Sequence, residues 1–128
     1  MSRTATVRHV VAFVPDLFFA AKIAATAEAA GVKFESLDAG AALERCLART
    51  GPPGGAPQLL ILDLGAGEAA LALARALSAD ETCRDVPMVG FFSHVEISTR
   101  DAALAAGVHT VLPRSAFVAR LPELLRGA

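Results

Sequence analysis

Apolar residues are concentrated in five short runs, and longer amphipathic segments separate them. The clearest run, Leu59-Leu60-Ile61-Leu62, leads directly into Asp63 with no polar residue inside it. A continuous apolar run of this length is typical of a strand that is buried on both faces of a sheet. We therefore expect a strand that ends at Asp63. The other four runs predict strands over Val7–Val14, Val32–Leu37, Val86–Phe92 and Val108–Leu112.

The segments between these runs carry apolar residues at helical spacing. In the first segment, apolar residues recur every three or four positions, and Asp16 precedes them where a helix N-cap is preferred. Asp38 is in the same position before the second predicted helix, and the last predicted helix opens at Ser115. Pro122 lies inside that last helix and is expected to kink or restart it, because proline cannot donate a backbone hydrogen bond.

Strands and helices thus alternate strictly in five β-α units, which predicts an α/β fold. The expected architecture is a doubly wound, five-stranded parallel sheet with helices on both faces. Right-handed crossovers favour the flavodoxin-like strand order 2-1-3-4-5. A chain of 128 residues is long enough to bury one proper core, so residues 1–128 are expected to form a single domain. The segment Gly51–Pro57 is predicted to be a loop, because its glycines and prolines suit neither helix nor strand.

Composition narrows the classes of function. Hydrophobic residues make up 54% of the chain and charged residues 20%, which argues against disorder. The formal net charge of -1 gives no basic footprint for a nucleic acid. The apolar stretch near the N-terminus is too short for a signal peptide or a membrane span, so we expect a cytoplasmic protein with no membrane partner. The two cysteines have no CxxC partner, so no zinc or redox motif is indicated.

Residues that carry chemistry cluster at the predicted strand ends. Asp16 follows the first strand, Asp63 ends the third, Ser93 follows the fourth and Arg114 follows the fifth. The carboxyl ends of parallel strands share one edge of the sheet, where ligands bind in open α/β folds. We therefore expect these four side chains to lie near one another.

This order of residues resembles the receiver domain of response regulators, the CheY-like superfamily, over nearly the whole chain. The resemblance implies that Asp63 is the position that accepts a phosphoryl group from a histidine kinase. It also implies that Asp16 and Asp63 are the positions that hold Mg²⁺, and that Ser93 and Arg114 contact the phosphoryl oxygens. A carboxylate that attacks a phosphoryl group brings two anions together, so a divalent cation and a fixed positive charge must offset them.

The chain departs from the pattern of that family at several of these positions. The acidic pair after the first strand is reduced to Asp16, with Val14 and Pro15 ahead of it. The lysine-proline pair after the fifth strand is replaced by Arg114-Ser115, and arginine is a planar fork rather than a point charge. Val111 stands where the family has an aromatic switch residue.

These departures favour a stand-alone, degenerate receiver, a pseudo-receiver that acts through protein–protein contact without phosphorylation and is not an enzyme. The expected partners are a histidine kinase, an output protein or a second copy in a homodimer. One alternative is a functional phospho-acceptor that uses Asp63 with a weakened Mg²⁺ site. A second is a small flavodoxin-like enzyme or nucleotide binder, although the chain has neither a P-loop nor a dinucleotide fingerprint.

Two further hypotheses concern individual side chains. Arg114 is expected to form a permanent ion pair with Asp63, in which case the loss of the Asp63 charge would cost stability. The apolar run Leu17-Phe18-Phe19 opens the first predicted helix. One or two of these three side chains are expected to pack into the core, and the rest are then candidates for a partner surface at the edge of the site. The alternative, equally favoured by the sequence, is that all three are buried under neighbouring loops.

Overall fold

The structure, a computed structural model, describes residues 8–48, 57–93 and 97–127. These residues form five strands and five α-helices in strict alternation. The elements are β1 (His9–Phe13), α1 (Leu17–Ala29), β2 (Lys33–Ser36), α2 (Ala39–Ala48), β3 (Leu59–Asp63), α3 (Glu68–Ala79), β4 (Met88–Phe92), α4 (Ile97–Ala105), β5 (Thr110–Pro113) and α5 (Arg114–Arg126). A single 3₁₀ turn, Leu64–Ala66, joins β3 to α3.

The sheet has the strand order β2-β1-β3-β4-β5, and every neighbouring pair is parallel. This confirms the predicted five-stranded, flavodoxin-like α/β fold. Successive side chains of a strand point to opposite faces of the sheet, so each central strand contributes side chains to two separate hydrophobic cores. One core packs β1, β3 and β4 against α1 and α5, and the other packs the same strands against α2, α3 and α4. The helices therefore cover both faces, as the alternation predicts.

Several strands are shorter than the sequence predicts, because backbone groups near their ends bond elsewhere. The Val108 N–H donates to the Ala103 carbonyl at the end of α4, so β5 begins only at Thr110. Val32 in the same way donates to Ala27 at the end of α1. The Val86 N–H donates to the Cys83 carbonyl in a turn, which leaves Met88 as the first residue of β4.

Two helix starts match the predicted caps. The Asp16 Oδ1 accepts hydrogen bonds from the backbone N–H groups of Phe18 and Phe19, and the Asp38 Oδ1 accepts one from Ala41. The last helix begins at Arg114, one residue before the predicted Ser115. Of the two expected effects of Pro122, a kink or a restart, the restart does not occur, because a single helix runs through it from Arg114 to Arg126.

Two observations concern the limits of the fold. Of the predicted loop Gly51–Pro57, all but Pro57 lies outside the described residues. Within the parts of the chain that the structure describes, no helix combines the length and the apolar character needed to cross a membrane.

Both cysteines are buried, whereas a reactive thiol is expected to be partly exposed. The Cys83 Sγ donates to the carbonyl of Cys46 at 3.4 Å, which ties the end of α2 to the turn before β4. Burial, together with the neighbouring Cys83, raises the pKa of the Cys46 thiol to about 11. A thiol with so high a pKa is a poor nucleophile, so we interpret both side chains as packing residues.

Candidate functional site

The carboxyl ends of the strands bring the predicted site residues to one edge of the sheet. Asp16 is the N-cap of α1 just beyond β1, and Asp63 is the last residue of β3. Ser93 follows β4 and is exposed, and Arg114 is the first residue of α5 directly after β5. Since β1, β3, β4 and β5 are neighbours in that order, these residues are carried by four adjacent strand ends.

Arg114 lies on an aromatic platform beside Asp16. Its Nη2 is 3.9 Å from the Asp16 Oδ2, and its Cζ is 4.2 Å above the ring centre of Phe19. The ring centre of Phe91 is 5.6 Å from the same carbon. A guanidinium over the face of an aromatic ring is attracted by the negative charge density of that face. Arg114 is therefore held by both a carboxylate and two rings.

The platform itself is fixed in the core. Phe19 meets Phe91 edge-on, with ring centres 5.0 Å apart and an interplanar angle of 60°. Phe91 in turn stacks on Phe117 of α5 at 4.7 Å and 22°. All three rings are buried, so the surface under Arg114 is rigid. This platform was not predicted from the sequence. Phenylalanines at the start of one predicted helix and at the end of a buried strand are the features of the sequence that could have indicated it.

The Asp63 carboxylate is hydrogen-bonded within its own turn rather than paired with a cation. Its Oδ1 accepts a hydrogen bond of 2.9 Å from the Gly65 N–H and so caps the 3₁₀ turn that leads to α3. Burial raises the pKa of Asp63, and the nearby charge of Asp16 raises it further, whereas the Gly65 hydrogen bond and the charge of Arg114 oppose the shift. The net effect is that the ionised carboxylate is disfavoured.

The expected permanent ion pair between Asp63 and Arg114 is not formed. Among the described residues, the carboxylate within 4.0 Å of the Arg114 guanidinium is that of Asp16. The physical reason is that the rings of Phe19 and Phe91, which belong to the core under α1 and α5, hold the guanidinium on that face of the sheet. The Arg114 Nε is buried and has no hydrogen-bond partner in the described part of the chain. Arg114 therefore acts on Asp63 only through its charge at a distance.

The β3–α3 turn is packed closely against the sheet. Leu64, directly after Asp63, is buried, and a Cβ added at Gly90 of β4 would come within 2.8 Å of its side chain. Gly90 therefore leaves the space that Leu64 fills. The packing fixes the backbone on which Asp63 sits. Val111 of β5 packs on the edge of the same core, in the position where the related family has an aromatic residue.

Three of the four carboxylate oxygens that the resemblance assigns to Mg²⁺ have other partners. Mg²⁺ prefers near-octahedral oxygen ligands, including one or two carboxylates. Here the Asp16 Oδ1 already accepts two backbone N–H groups, and its Oδ2 faces the positive charge of Arg114. The described residues contain no group of three or more His, Cys, Asp or Glu side chains placed to hold a metal ion.

Solved structures with the same architecture are numerous. A response regulator from Hahella chejuensis is 20% identical, with a TM-score of 0.74 and coverage of 93% of this chain and 92% of the other. A putative response regulator from Chloroflexus aurantiacus is 17% identical, with a TM-score of 0.75 and coverage of 94% and 98%. This chain has the fold of a response regulator receiver domain.

The similarity to these structures establishes the receiver fold but no function or binding property of this chain. The Mn²⁺-bound form of the response regulator Rcp1 is 15% identical, with a TM-score of 0.69 over 94% of this chain and 90% of that one. Metal binding is thus a property of that similar protein. No protein-family model and no curated protein sequence matches this chain.

Proposed function

We propose that this chain is a receiver-like signalling protein of two-component type that acts through protein–protein contact without phosphorylation of Asp63. The observation that carries the proposal is the position of Arg114. Its guanidinium lies beside Asp16 and over the ring of Phe19, and Asp16 is the acid to which the resemblance assigns a divalent cation.

The electrostatics of Asp63 support the same conclusion. A phosphoryl group adds roughly two negative charges, which need compensation at short range. Burial already disfavours the single charge of the free Asp63 carboxylate, and Asp16 adds repulsion. A lone guanidinium that is bound elsewhere offsets too little of this charge. Asp63 is therefore a cap for the β3–α3 turn in this proposal, with Ser93 and Arg114 as remnants of a phosphate-contact set.

The proposed role is that of a binding protein rather than an enzyme. A histidine kinase, an output protein or a second copy of the chain is the kind of partner that this fold would engage. A cytoplasmic location belongs to the same proposal, because two-component signalling takes place there. The net charge of -1 gives no support for a nucleic-acid partner.

A phosphodonor assay tests the proposal. The protein is incubated with Mg²⁺ and acetyl phosphate, and its intact mass is followed by mass spectrometry. We expect no added phosphoryl group, whereas a receiver with a complete acidic pair and lysine should be modified under the same conditions. A mass increase that disappears in Asp63→Ala would show that Asp63 is a working acceptor and would overturn the proposal. A nucleotide or flavin released on denaturation would instead support a small-molecule binder.

A further inference from the structure

Two large apolar side chains are exposed in the first turn of α1. Leu17 is 80% exposed and Phe18 is 92% exposed, whereas the next residue, Phe19, is buried beneath Arg114. Single exposed apolar residues are common on protein surfaces, but adjacent large ones at the rim of a cavity are typical of an interaction site. Of the two alternatives that the sequence left open for this run, the structure has the one with part of the run outside the core, and the alternative in which all three side chains are buried is wrong.

A cavity of about 240 Å³ opens beside these side chains. It lies between the β1–α1 and β2–α2 connections, and its lining is mostly apolar. The lining residues are Phe13, Val14, Pro15, Leu17, Ser36, Leu37 and Asp38. The apolar residues Val14 and Pro15, which replace the acidic pair, thus form one wall of a pocket instead of a metal site.

We propose that this surface binds a second copy of the chain, with Phe18 of each copy seated in the pocket of the other. Leu17, the residue directly before Phe18, lines the pocket, so the projecting ring and the pocket lie close together on the surface. A two-fold axis through such a face makes the contact reciprocal, so one geometry fills both pockets. This inference rests on the proposed function in that it specifies one of its partners, the second copy, and it holds whether or not Asp63 accepts a phosphoryl group.

Charge favours a second copy as the occupant. Lys22 is exposed one helical turn after Phe18, and Asp38 is exposed at the pocket rim. Neither forms an ion pair within the described residues. Residues four apart on a helix are neighbours, so a Phe18 ring seated in the pocket brings Lys22 towards the other copy's Asp38. The net charge of -1 also leaves little long-range repulsion between two copies.

The expected interface is small. A buried aromatic side chain removes about 150–250 Å² from water, so two Phe18 rings and the surrounding pocket walls stay below about 1,200 Å² in total. Interfaces of this size are weak and transient. The dimer should therefore form at high protein concentration and separate on dilution.

Sedimentation equilibrium of the full chain, from about 10 μM to about 1 mM, tests the proposal. We expect reversible monomer–dimer association in the wild type and a dissociation constant at least about tenfold higher in Phe18→Ser, because a buried aromatic anchor dominates small interfaces. Phe18 is almost fully exposed, so this variant should keep the wild-type melting temperature. The matched control is Ile97→Ser, which removes a side chain that is 71% exposed on α4 and should leave association unchanged.

The charge pair has a separate test. Lys22→Gln and Asp38→Asn should each weaken association by about two- to fivefold, and the double variant should show less than the summed effect. Asn at position 38 keeps an oxygen for the cap of α2. A wild type that stays monomeric over the whole range would overturn the proposal, as would a dimer that Ile97→Ser disrupts and Phe18→Ser does not. Neither result depends on the phosphodonor assay.

Discussion

At the scale of single residues, the site is defined by which carboxylate contacts the guanidinium of Arg114. Among the described residues, Arg114 contacts Asp16 and the rings of Phe19 and Phe91, whereas Asp63 accepts a backbone hydrogen bond from Gly65. The Asp63 carboxylate is half-buried, and its pKa is raised mainly by that burial. The folded protein therefore does not stabilise the ionised form of Asp63.

Asp63→Asn should therefore raise the melting temperature at pH 7, the opposite of what an Asp63–Arg114 ion pair would give. The raised pKa means that the folded protein binds a proton more readily than the unfolded chain, so the ionised group costs stability above its folded pKa. The gain should be about 0.5 kcal/mol in the free energy of unfolding, because solvent screens a half-exposed group. It should vanish in acid, where the wild-type carboxyl is protonated.

Thermal unfolding of both proteins across pH measures this effect. Asp101→Asn, an exposed substitution on α4, is the control and should leave the melting temperature within error. A lower melting temperature in Asp63→Asn at pH 7 would show instead that a cation stabilises the Asp63 charge. That result would restore the ion pair expected from the sequence.

The places of these residues at the strand ends were predictable from the sequence, but their contacts were not. Asp16, Asp63, Ser93 and Arg114 follow buried apolar runs, and parallel topology alone brings strand ends to one edge. Which acid Arg114 contacts depends on ring positions that are set by packing between β4, α1 and α5. Hydrophobic periodicity places such side chains in the core without giving their neighbours across it.

At the scale of secondary-structure elements, periodicity predicted every strand and helix but not their ends. The ends are set by local backbone hydrogen bonds, such as that from Val108 to Ala103 across Gly107. Gly107 has φ = +105°, and a Cβ there would also collide with the Ser78 side chain. A glycine after a helical pattern predicts a stop, but it does not show that the next residue still bonds back to the helix.

Pro122 is an exception to the rule that a proline ends or interrupts a helix. It lies in the ninth position of a continuous α5, where it removes one backbone hydrogen bond and crowds the preceding turn. Leu121 and Leu125 on either side are buried, so their packing holds the helix together through the proline. Pro122→Ala should therefore stabilise the protein by about 1–2 kcal/mol, because the restored hydrogen bond outweighs the greater freedom of the unfolded chain.

Chemical denaturation measures the effect of Pro122→Ala, with Glu123→Ala as the control. Glu123 is the next residue of the same helix and is exposed, so its replacement should change the free energy of unfolding by less than about 0.5 kcal/mol. A Pro122→Ala variant that is less stable than the wild type would show that the proline ring contributes packing that alanine cannot replace.

At the scale of the whole molecule, a second group of charged side chains lies outside the candidate site. The carboxyl ends of the strands carry the candidate site, and a compact charged cluster links β1, β2 and α2. In that cluster the Glu35 Oε1 lies 2.7 Å from the Nε2 of buried His9 and accepts a 2.9 Å hydrogen bond from the Arg45 Nε. The Arg45 side chain is only 15% exposed. The cluster therefore ties three elements together through one carboxylate.

Glu35→Gln should destabilise the protein by about 1–2 kcal/mol at pH 7, because it leaves the largely buried Arg45 without its counter-charge. The full penalty for a buried pair is larger, but Glu35 is partly exposed and solvent screens the loss. Burial alone would raise the pKa of Glu35, yet the hydrogen bonds from His9 and Arg45 outweigh it and lower the pKa. Its contribution to stability is therefore complete above the pKa of an unfolded glutamate and is lost as the pH falls through the lower folded value.

Urea denaturation of the wild type and Glu35→Gln at several pH values tests this sign. The two proteins should differ most near neutral pH and converge in acid, where the wild-type carboxylate becomes protonated. Glu28→Gln, an exposed substitution on α1, should track the wild type throughout. If Glu35→Gln is as stable as the wild type at pH 7, the proposed role of the cluster is contradicted. If the difference in stability persists in acid, it arises from the altered packing or hydrogen bonding of the side chain rather than from the loss of its charge. Because the pocket beside Phe18 is lined by none of the three side chains of this cluster, Glu35→Gln should also leave self-association of the folded protein unchanged.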